Sequence, residues 1–473
     1  MKVESMTQMR PFAIGFLILW GVLAGCAPTV YEKPTEVLLD RKRPGRLRHE
    51  AFDQLVQNGT TVKDPAYNKA LYQLVWSDRH PMDLRIRAAE ILIESDEETF
   101  IETSKTLIAV VDHWPMLEYL FAKAIERNWQ GFTVSAVHSW SRPSQRYGDH
   151  TRPECDLLQA LNPGTSPERV AFNVFAGSYG PTTLRQQVAA WQLLCRITTQ
   201  DKLKLWLSRP ELQSEVARNL RLCQTWVDRM PRKREGVLML NHLAQSNHAL
   251  GGSDRVTEAM AEWPHDWFVD TEVRHIPVLV RAMSHPPMKD PRDLQRDILV
   301  RLEKQTRYAR IDQRHMEAEK LEHQLDKIAL ADWFVMADVL RAMESSSVRS
   351  ALFLQADQDL SETRTELGGV LGYDDSGQFK VMPFEPKIMD HDRKFYASDQ
   401  LVEAMYTNLA HYHFHAQSHD NDTYAGPGRG DTAFASRMES HAVVFSFIDH
   451  DTLNVDYYQP NGAVIDLGCI KRP

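Results

Sequence analysis

The feature that most constrains this fold is a change in hydrophobic periodicity near residue 345. Between residues 41 and 345, apolar residues recur every three or four positions, which is the spacing of amphipathic helices, and clusters of Pro, Gly, Asn and Asp interrupt them. After residue 345, short apolar or alternating segments separated by turn residues predict strands. We therefore expect a multidomain chain, with an all-α part at 41–345 followed by an α+β domain at 346–473.

Two segments of the helical part share one pattern. DLRIRAAEIL begins at Asp83 and LRQQVAAWQLL begins at Leu184, and each has alanines at the centre of an apolar stripe. Small residues there allow neighbouring helices to approach closely. Both segments resemble the second helix of HEAT-type repeats, a resemblance that implies an extended surface for a protein or peptide partner. Because no regular period links them, irregular HEAT-like helix pairs are expected, with a non-repetitive helical domain as the alternative.

The most charged helical stretch runs over residues 290–345. Its apolar residues keep helical spacing, which predicts a long hairpin whose charged face is solvated, or alternatively a coiled coil that binds a partner. These apolar residues are Leu294, Ile298 and Leu302, then Leu321, Leu325 and Ile328.

The N-terminus has the pattern of an export signal. Residues 11–25 form an uncharged apolar run that is short for a membrane-spanning helix. The run closes on the tetrapeptide LAGC ending at Cys26, which resembles the lipobox of bacterial lipoproteins. The resemblance implies a signal peptide at 1–25, a diacylglycerol on the Cys26 thiol and a lipidated tether at 26–40. Pro34 is expected to disfavour a helix in that tether, and an uncleaved membrane helix is the alternative reading of the run.

A lipidated Cys26 implies a cell-envelope protein held to a membrane on the periplasmic side. Ala27 resembles the residue that sorts such proteins to the outer rather than the inner membrane. The net charge of −9 argues against a nucleic-acid partner, which would call for a basic patch. The four remaining cysteines are scattered without a CxxC motif, so either a disulfide or free buried thiols are possible. They are Cys155, Cys195, Cys223 and Cys469.

The C-terminal region contains the residues capable of metal chemistry. We predict strands at 351–356, 366–373, 378–383, 410–416, 442–447, 452–458 and 463–468, and helices at 400–408 and 432–440. His411, His413 and His415 fall on one predicted strand, so alternation places all three on one face. Zinc accepts imidazole nitrogens and needs a further protein ligand, for which nearby acidic residues are candidates. The candidates are Asp420, Asp422 and Asp431, the last of which is expected to precede a helix directly.

This arrangement resembles the JAMM/MPN (JAB-like) metallopeptidase domain. The similarity covers residues 350–468 and comprises ELGGVL beginning at Glu366, the HFH segment ending at His415 and the later Gly-Asp pair ending at Asp431. The resemblance implies that His413, His415 and Asp431 bind Zn²⁺. It also implies that Glu366 takes a proton from a water and passes it to the leaving amine during amide or isopeptide hydrolysis.

Two features depart from the family pattern. The interval from His415 to Asp431 is several residues longer than usual, and Gly428 stands where the family has a serine that stabilises the oxyanion. Loss of one such donor can lower the rate by about 10²–10³, although Ser418 or Thr423 are candidates to replace it. The leading prediction is a membrane-tethered zinc hydrolase carried on a helical arm, and the alternative is a non-catalytic envelope scaffold.

Overall fold

The computed structural model describes residues 30–180, 182–209, 212, 214–245, 252–284, 289–308, 319–374, 376–389 and 395–473. The predicted signal peptide and Cys26 lie outside these residues. The chain divides into two compact units, Met1–Val170 and Ala171–Pro473. Within the described residues, the helices are all too short or too polar to cross a membrane.

The first unit is helical. Its helices are α1 (Pro34–Leu39), α2 (Gly45–Gln57), α3 (Pro65–Trp76), α4 (Met82–Ser95), α5 (Glu97–Ile108), α6 (Trp114–Glu126), α7 (Thr133–Ser141) and α8 (Pro153–Leu161), and α9 (Pro167–Phe175) spans the boundary between the units. Helix α4 contains the first HEAT-like segment. Its buried face includes Leu84, Ala88 and Leu92, as the apolar stripe predicted, whereas Ile91 is only partly buried.

Helix α1 corrects the prediction of a non-helical tether. Pro34 occupies the first turn of this helix, where its missing N–H costs nothing because that group has no partner within a helix. Leu38 is fully buried. Residues 34–39, which belong to the predicted tether, therefore contribute to the folded first unit.

The second unit begins with helices and ends with a sheet. Its helices are α10 (Leu184–Ile197), α11 (Gln200–Leu207), α12 (Glu215–Trp226), α13 (Arg234–Gln245), α14 (Gly252–Glu262), α15 (Ile276–Ser284), α16 (Pro291–Glu303), α17 (Asp332–Glu344), α18 (Ser346–Ser361), α19 (Asp399–Met405) and α20 (Arg429–Met438). Helix α10 contains the second HEAT-like segment and begins with a capping box between Thr183 and Gln186. The structure thus confirms a helical region followed by an α+β region.

Two local predictions were wrong. Residues 351–356 were expected to be a strand but belong to α18, in which Val348, Leu352 and Ala356 are buried at helical spacing. The second half of the expected long hairpin is also absent from the described residues. Short 3₁₀ turns at Leu321–His323 and Leu325–Lys327 replace it, and Leu325 is exposed, so it does not continue a buried apolar seam.

A six-stranded mixed sheet forms the C-terminal part of the second unit. Its strands are β1 (Gly368–Tyr373), β2 (Phe379–Phe384), β3 (Ala410–His415), β4 (Ala442–Asp449), β5 (Thr452–Tyr458) and β6 (Val464–Lys471), in the order β2-β1-β3-β4-β5-β6. Only β3 and β4 pair in parallel within this sheet. The connection between these two strands contains α20, and Asp431 in the first turn of α20 lies beside the C-terminal end of β3.

Helices cover both faces of this sheet. On one face, the α18 side chain of Gln355 donates to the Gly368 carbonyl (3.0 Å) and accepts from the Tyr412 hydroxyl (2.5 Å). On the other face, Val370 packs with residues of α19 and α20. Gly369 allows β1 to lie against its neighbours, because a Cβ there would collide with the Met382 carbonyl and the Tyr412 ring. This packing fixes β1 and β3 side by side.

Candidate metal centre

Strand β3 presents its three histidines to one side of the sheet, as alternation predicted. The Nε2 atoms of His413 and His415 lie 3.3 Å apart. His411 makes different contacts: its ring packs edge-on against Phe434 and Tyr458 at centroid distances of 5.0 and 6.1 Å. Two of the three histidines therefore form a ligand pair.

Asp431 joins this pair from α20. The helix begins at Arg429, so Asp431 lies within its first turn rather than directly before it, which corrects the predicted helix start. The Asp431 Oδ2 atom accepts a hydrogen bond from the Gly428 backbone N–H at 2.6 Å. The same oxygen lies 3.5 Å from His413 Nε2 and 3.7 Å from His415 Nε2.

These three atoms have the spacing of ligands around one metal ion. Their separations are 3.3, 3.5 and 3.7 Å. A tetrahedral zinc ion that binds its ligands at about 2.0–2.1 Å separates them from one another by roughly 3.3–3.4 Å. The donor set of two imidazoles and one carboxylate, which leaves a fourth position open, is also one that zinc uses in catalytic sites. The residues therefore fit a divalent metal ion.

Hydrogen bonds orient His415. Its Nδ1 lies 2.9 Å from the Tyr424 carbonyl, to which only a protonated ring nitrogen can donate. That bond leaves the Nε2 lone pair directed at His413 and Asp431. Asn421 adds to the support by donating from Nδ2 to the His415 carbonyl at 2.8 Å. Such second contacts fix the ring orientation that a metal ligand needs.

Glu366 lies just before β1 and approaches the same histidines. Its side chain is buried, with 5% of the residue exposed. One ligand atom each from Glu366, His413 and His415 lie within 4.8 Å of one another. Gln417 donates from Nε2 to Glu366 Oε1 at 3.4 Å. We call Glu366, His413, His415 and Asp431 the open cluster.

The open cluster faces a cavity of about 640 Å³. Its walls are formed by the four cluster residues and by Phe395, Tyr396, His411, Gln417, Asn421, Tyr424, Gly428, Arg429, Gly430, Phe434, Arg437 and Tyr458. The alternative ligands Asp420 and Asp422 are not part of this lining, nor are Ser418 and Thr423, the suggested substitutes for the family serine. The sequence pattern did not single out Gln417 or Arg437, both of which line the cavity.

Burial and neighbouring charges set the protonation of this site. Burial would raise the pKa of the Asp431 carboxyl, but His413 and His415 outweigh burial and hold that pKa well below its usual range. Burial, assisted by His413, lowers the pKa of His411 to about 3. At neutral pH, Asp431 is therefore an anion and His411 is a neutral ring.

The described residues contain a second group of histidines and a carboxylate, His275, Asp332 and His441. With Arg274 they form what we call the sealed cluster. Arg274 Nη1 lies 3.1 Å from Asp332 Oδ1 and 3.0 Å from His441 Nδ1. A guanidinium group thus already supplies the positive charge that a metal would supply. The exposed fractions of Asp332 and His441 are 0% and 2%.

The hydrogen bonds of the sealed cluster are complementary. The Glu272 backbone N–H donates to His275 Nδ1 at 2.9 Å, so the opposite nitrogen of that ring carries the proton and donates to Asp332 at 2.8 Å. Burial would raise the pKa of Asp332, but Arg274 and His275 hold it well below its usual range. This cluster joins α17 and the 3₁₀ turn that precedes α15 to His441, directly before β4, and its charges are balanced as a structural ion pair.

The four cysteines of the described residues, Cys155, Cys195, Cys223 and Cys469, are all free thiols. Comparisons with protein-family models, curated proteins and solved structures found no significant match to this chain. The geometry of the open cluster is therefore the basis on which its function is inferred.

Proposed function

We propose that the open cluster is the centre of a zinc-dependent hydrolase that cleaves amide or isopeptide bonds. The observation that carries this proposal is the triangle of His413 Nε2, His415 Nε2 and Asp431 Oδ2, with separations of 3.3–3.7 Å. Glu366 beside that triangle supplies a carboxylate that is not needed as one of the three ligands. The cavity in front of the cluster provides room for a substrate.

In this proposal His413, His415 and Asp431 hold the zinc ion. When bound, zinc lowers the pKa of a water molecule and polarises a carbonyl group. Glu366 accepts the proton released by the attacking water on its carboxylate and delivers it to the nitrogen of the leaving amine. Gln417 holds Glu366 in place through its 3.4 Å hydrogen bond. The Tyr424 carbonyl keeps the His415 ring turned towards the site.

The absence of a serine at position 428 favours a second candidate, a scaffold whose domain binds metal without hydrolysis. Gly428 has no side chain to donate to an oxyanion, and its backbone N–H already donates to Asp431. In that case the zinc ion stabilises the fold and the cavity only binds a partner. The two candidates share the metal and differ in whether Glu366 moves a proton.

Metal analysis of the purified full chain tests zinc binding, which both candidate functions require. We expect about one zinc ion per chain, because the three ligands form one tetrahedral site. His413→Ala should lose that zinc, whereas His450→Ala, which removes an exposed histidine outside the cavity, should retain it. Metal-free wild-type protein, purified without chelators, would contradict both candidates.

Glu366→Gln separates the two candidates. In the hydrolase, this variant keeps its zinc but loses cleavage of a peptide mixture followed by mass spectrometry, because an amide cannot accept the proton. In the scaffold, wild type and variant both lack cleavage and contain equal zinc. Cleavage by the variant at the wild-type rate would exclude Glu366 as the base.

We also propose that Cys26 anchors this hydrolase to an envelope membrane and that the helical region binds a protein or peptide partner. The support for the anchor is the apolar run that ends at LAGC, and the support for the partner is the HEAT-like pattern of α4 and α10. Wild-type protein should incorporate labelled fatty acid and Cys26→Ser should not, because serine has no thiol to carry the diacylglycerol. Absence of label from wild-type protein, or equal labelling of the two chains, would contradict the lipid anchor.

A further inference from the structure

Two arginines line the same cavity as the open cluster. Arg429 lies at the start of α20, and Arg437 lies two turns later on the same helix. Arg437 stacks its guanidinium over the Phe434 ring at 5.2 Å, and Phe434 also lines the cavity. One face of α20 thus presents Asp431, Phe434 and Arg437 to the cavity together.

Neither arginine is neutralised within the described part of the chain. Elsewhere in this unit, the buried Arg274 pairs with Asp332 and the partly buried Arg281 pairs with Asp338, whereas Arg429 and Arg437 are exposed at the cavity. Arg429 and Arg437 form no ion pair with any carboxylate of the described residues, although both border a cavity that contains two carboxylates. Their guanidinium groups are therefore available to a ligand.

The charge balance of the cavity favours an anion. The carboxylates of Glu366 and Asp431 offset the charges of Arg429 and Arg437. A divalent ion on the open cluster then leaves an excess of positive charge in a partly enclosed space, where electrostatic attraction is strong. The N-terminus of α20, which also borders the cavity, adds a partial positive charge.

We propose that Arg429 and Arg437 bind a carboxylate of the substrate, close to the amide bond that is cleaved. Guanidinium groups match carboxylates in geometry as well as charge, because they donate two parallel hydrogen bonds. The aromatic side chains of Phe434 and Tyr396 provide an apolar wall for the part of the substrate next to that carboxylate. The carboxylate is either the free C-terminus of a peptide or an acidic side chain. This inference rests on the proposed function of the open cluster.

The experiment uses the zinc-loaded, full-length Glu366→Gln chain, immobilised so that peptides bind without cleavage. The probe is a hexapeptide library in three arms: neutral peptides with free C-terminal carboxylates, the same peptides as C-terminal amides, and amides containing one glutamate. Captured peptides are counted by mass spectrometry. We expect at least one carboxylate arm to be enriched about tenfold or more over the neutral amides, because a hydrogen-bonded charge pair has that effect on affinity.

The arm that is enriched identifies the source of the carboxylate. Arg429→Gln and Arg437→Gln, added to Glu366→Gln, should each reduce the enrichment, measured as the ratio of carboxylate peptides to neutral amides, about tenfold. Arg301→Gln is the matched control, because it removes a positive charge that is paired with Glu344 outside the cavity. Equal capture of all arms, capture of none, or unchanged enrichment in both arginine variants would overturn the inference.

Cleavage tests the proposed function separately. Wild-type protein is incubated with the enriched arm, and its products are measured. Carboxylate-selective capture without cleavage would reject the hydrolase and leave the anion site standing. Cleavage of acids and amides at equal rates would reject the anion site and leave the hydrolase standing.

Discussion

The open and sealed clusters are built from the same residue types but differ in what balances their charge. Both bring histidines and a carboxylate together on or beside the sheet, and both satisfy the spacing expected of metal ligands. In the sealed cluster, Arg274 provides the cation and burial excludes water. In the open cluster no lysine or arginine of the described residues pairs with Asp431, whose side chain is 23% exposed and borders a cavity. The open cluster is a candidate metal site because it borders a cavity and its carboxylate has no lysine or arginine partner among the described residues, whereas the sealed cluster is a structural ion pair.

The largest stability effect is expected from the sealed cluster. Asp332→Asn removes the fully buried carboxylate that pairs with both Arg274 and His275, so that Arg274 keeps only the partly exposed Glu272 carboxylate at 2.7 Å. The variant should lower the free energy of unfolding by about 3–5 kcal/mol. Tryptophan fluorescence during urea denaturation measures the change, since Trp333 is adjacent and buried. Asp297→Asn is the control, because its ion pair with Lys289 is more than half exposed and should contribute less than about 1 kcal/mol. Equal effects of the two variants would show that Glu272 alone compensates the Arg274 charge.

Removal of metal should destabilise the protein only through the open cluster. At a zinc concentration of about 1,000 times the dissociation constant, bound zinc contributes about 4 kcal/mol to stability. A strong chelator should therefore lower the unfolding temperature of wild-type protein and of Asp332→Asn, but not of His413→Ala. A chelator effect that persists in His413→Ala would place the metal elsewhere in the chain.

Acid should destabilise the protein through two buried neutral histidines, His441 of the sealed cluster and His411, which lies next to the open cluster on β3. Burial and Arg274 lower the pKa of His441 well below its usual value, and burial lowers the pKa of His411 to about 3. Since these folded-state pKa values lie below the unfolded value of about 6.5, the unfolded chain binds more protons at acid pH. The contribution of these neutral histidines to the free energy of unfolding is therefore fully present above pH 6.5. It declines below that pH, by about 2 kcal/mol per histidine at pH 5.

Urea denaturation at pH 7.5 and pH 5 measures this decline. His411→Gln should reduce the pH dependence by the contribution of one group, while His150→Gln, an exposed histidine in the first unit, should leave it unchanged. A stability that is equal at pH 5 and pH 7.5 would mean that the two rings accept protons within the folded protein.

The open cluster could be predicted from the sequence, whereas the sealed cluster could not. Alternation along one short strand places His413 and His415 together, and the turn chemistry around Asp431 marks a helix start. The sealed cluster joins residues 275, 332 and 441, which no local period connects. Residues 351–356 were assigned to the wrong element, since a short segment with five apolar residues out of six is compatible with a strand or a helix until its packing is known.

The smallest expected effect comes from two glutamines, one beside each cluster, whose replacement compares the solvent access of the two clusters. Gln417 donates to Glu366 at 3.4 Å in the open cluster, and Gln459 accepts from Arg274 at 3.4 Å in the sealed one. Gln459 is fully buried, so Gln459→Ala leaves an Arg274 N–H without this acceptor and should lower the free energy of unfolding by about 1–2 kcal/mol. Gln417 is only partly buried at the cavity, so water replaces its side chain and Gln417→Ala should cost less than about 0.5 kcal/mol.

Urea denaturation of the two variants, with zinc present throughout, compares these costs directly. The zinc content of both should match that of wild type, because neither glutamine lies in the ligand triangle. If Gln417→Ala costs as much as Gln459→Ala, the cavity excludes water as completely as the sealed cluster does. The open cluster would then lack the solvent access that hydrolysis demands, and a purely structural metal site would become the better explanation.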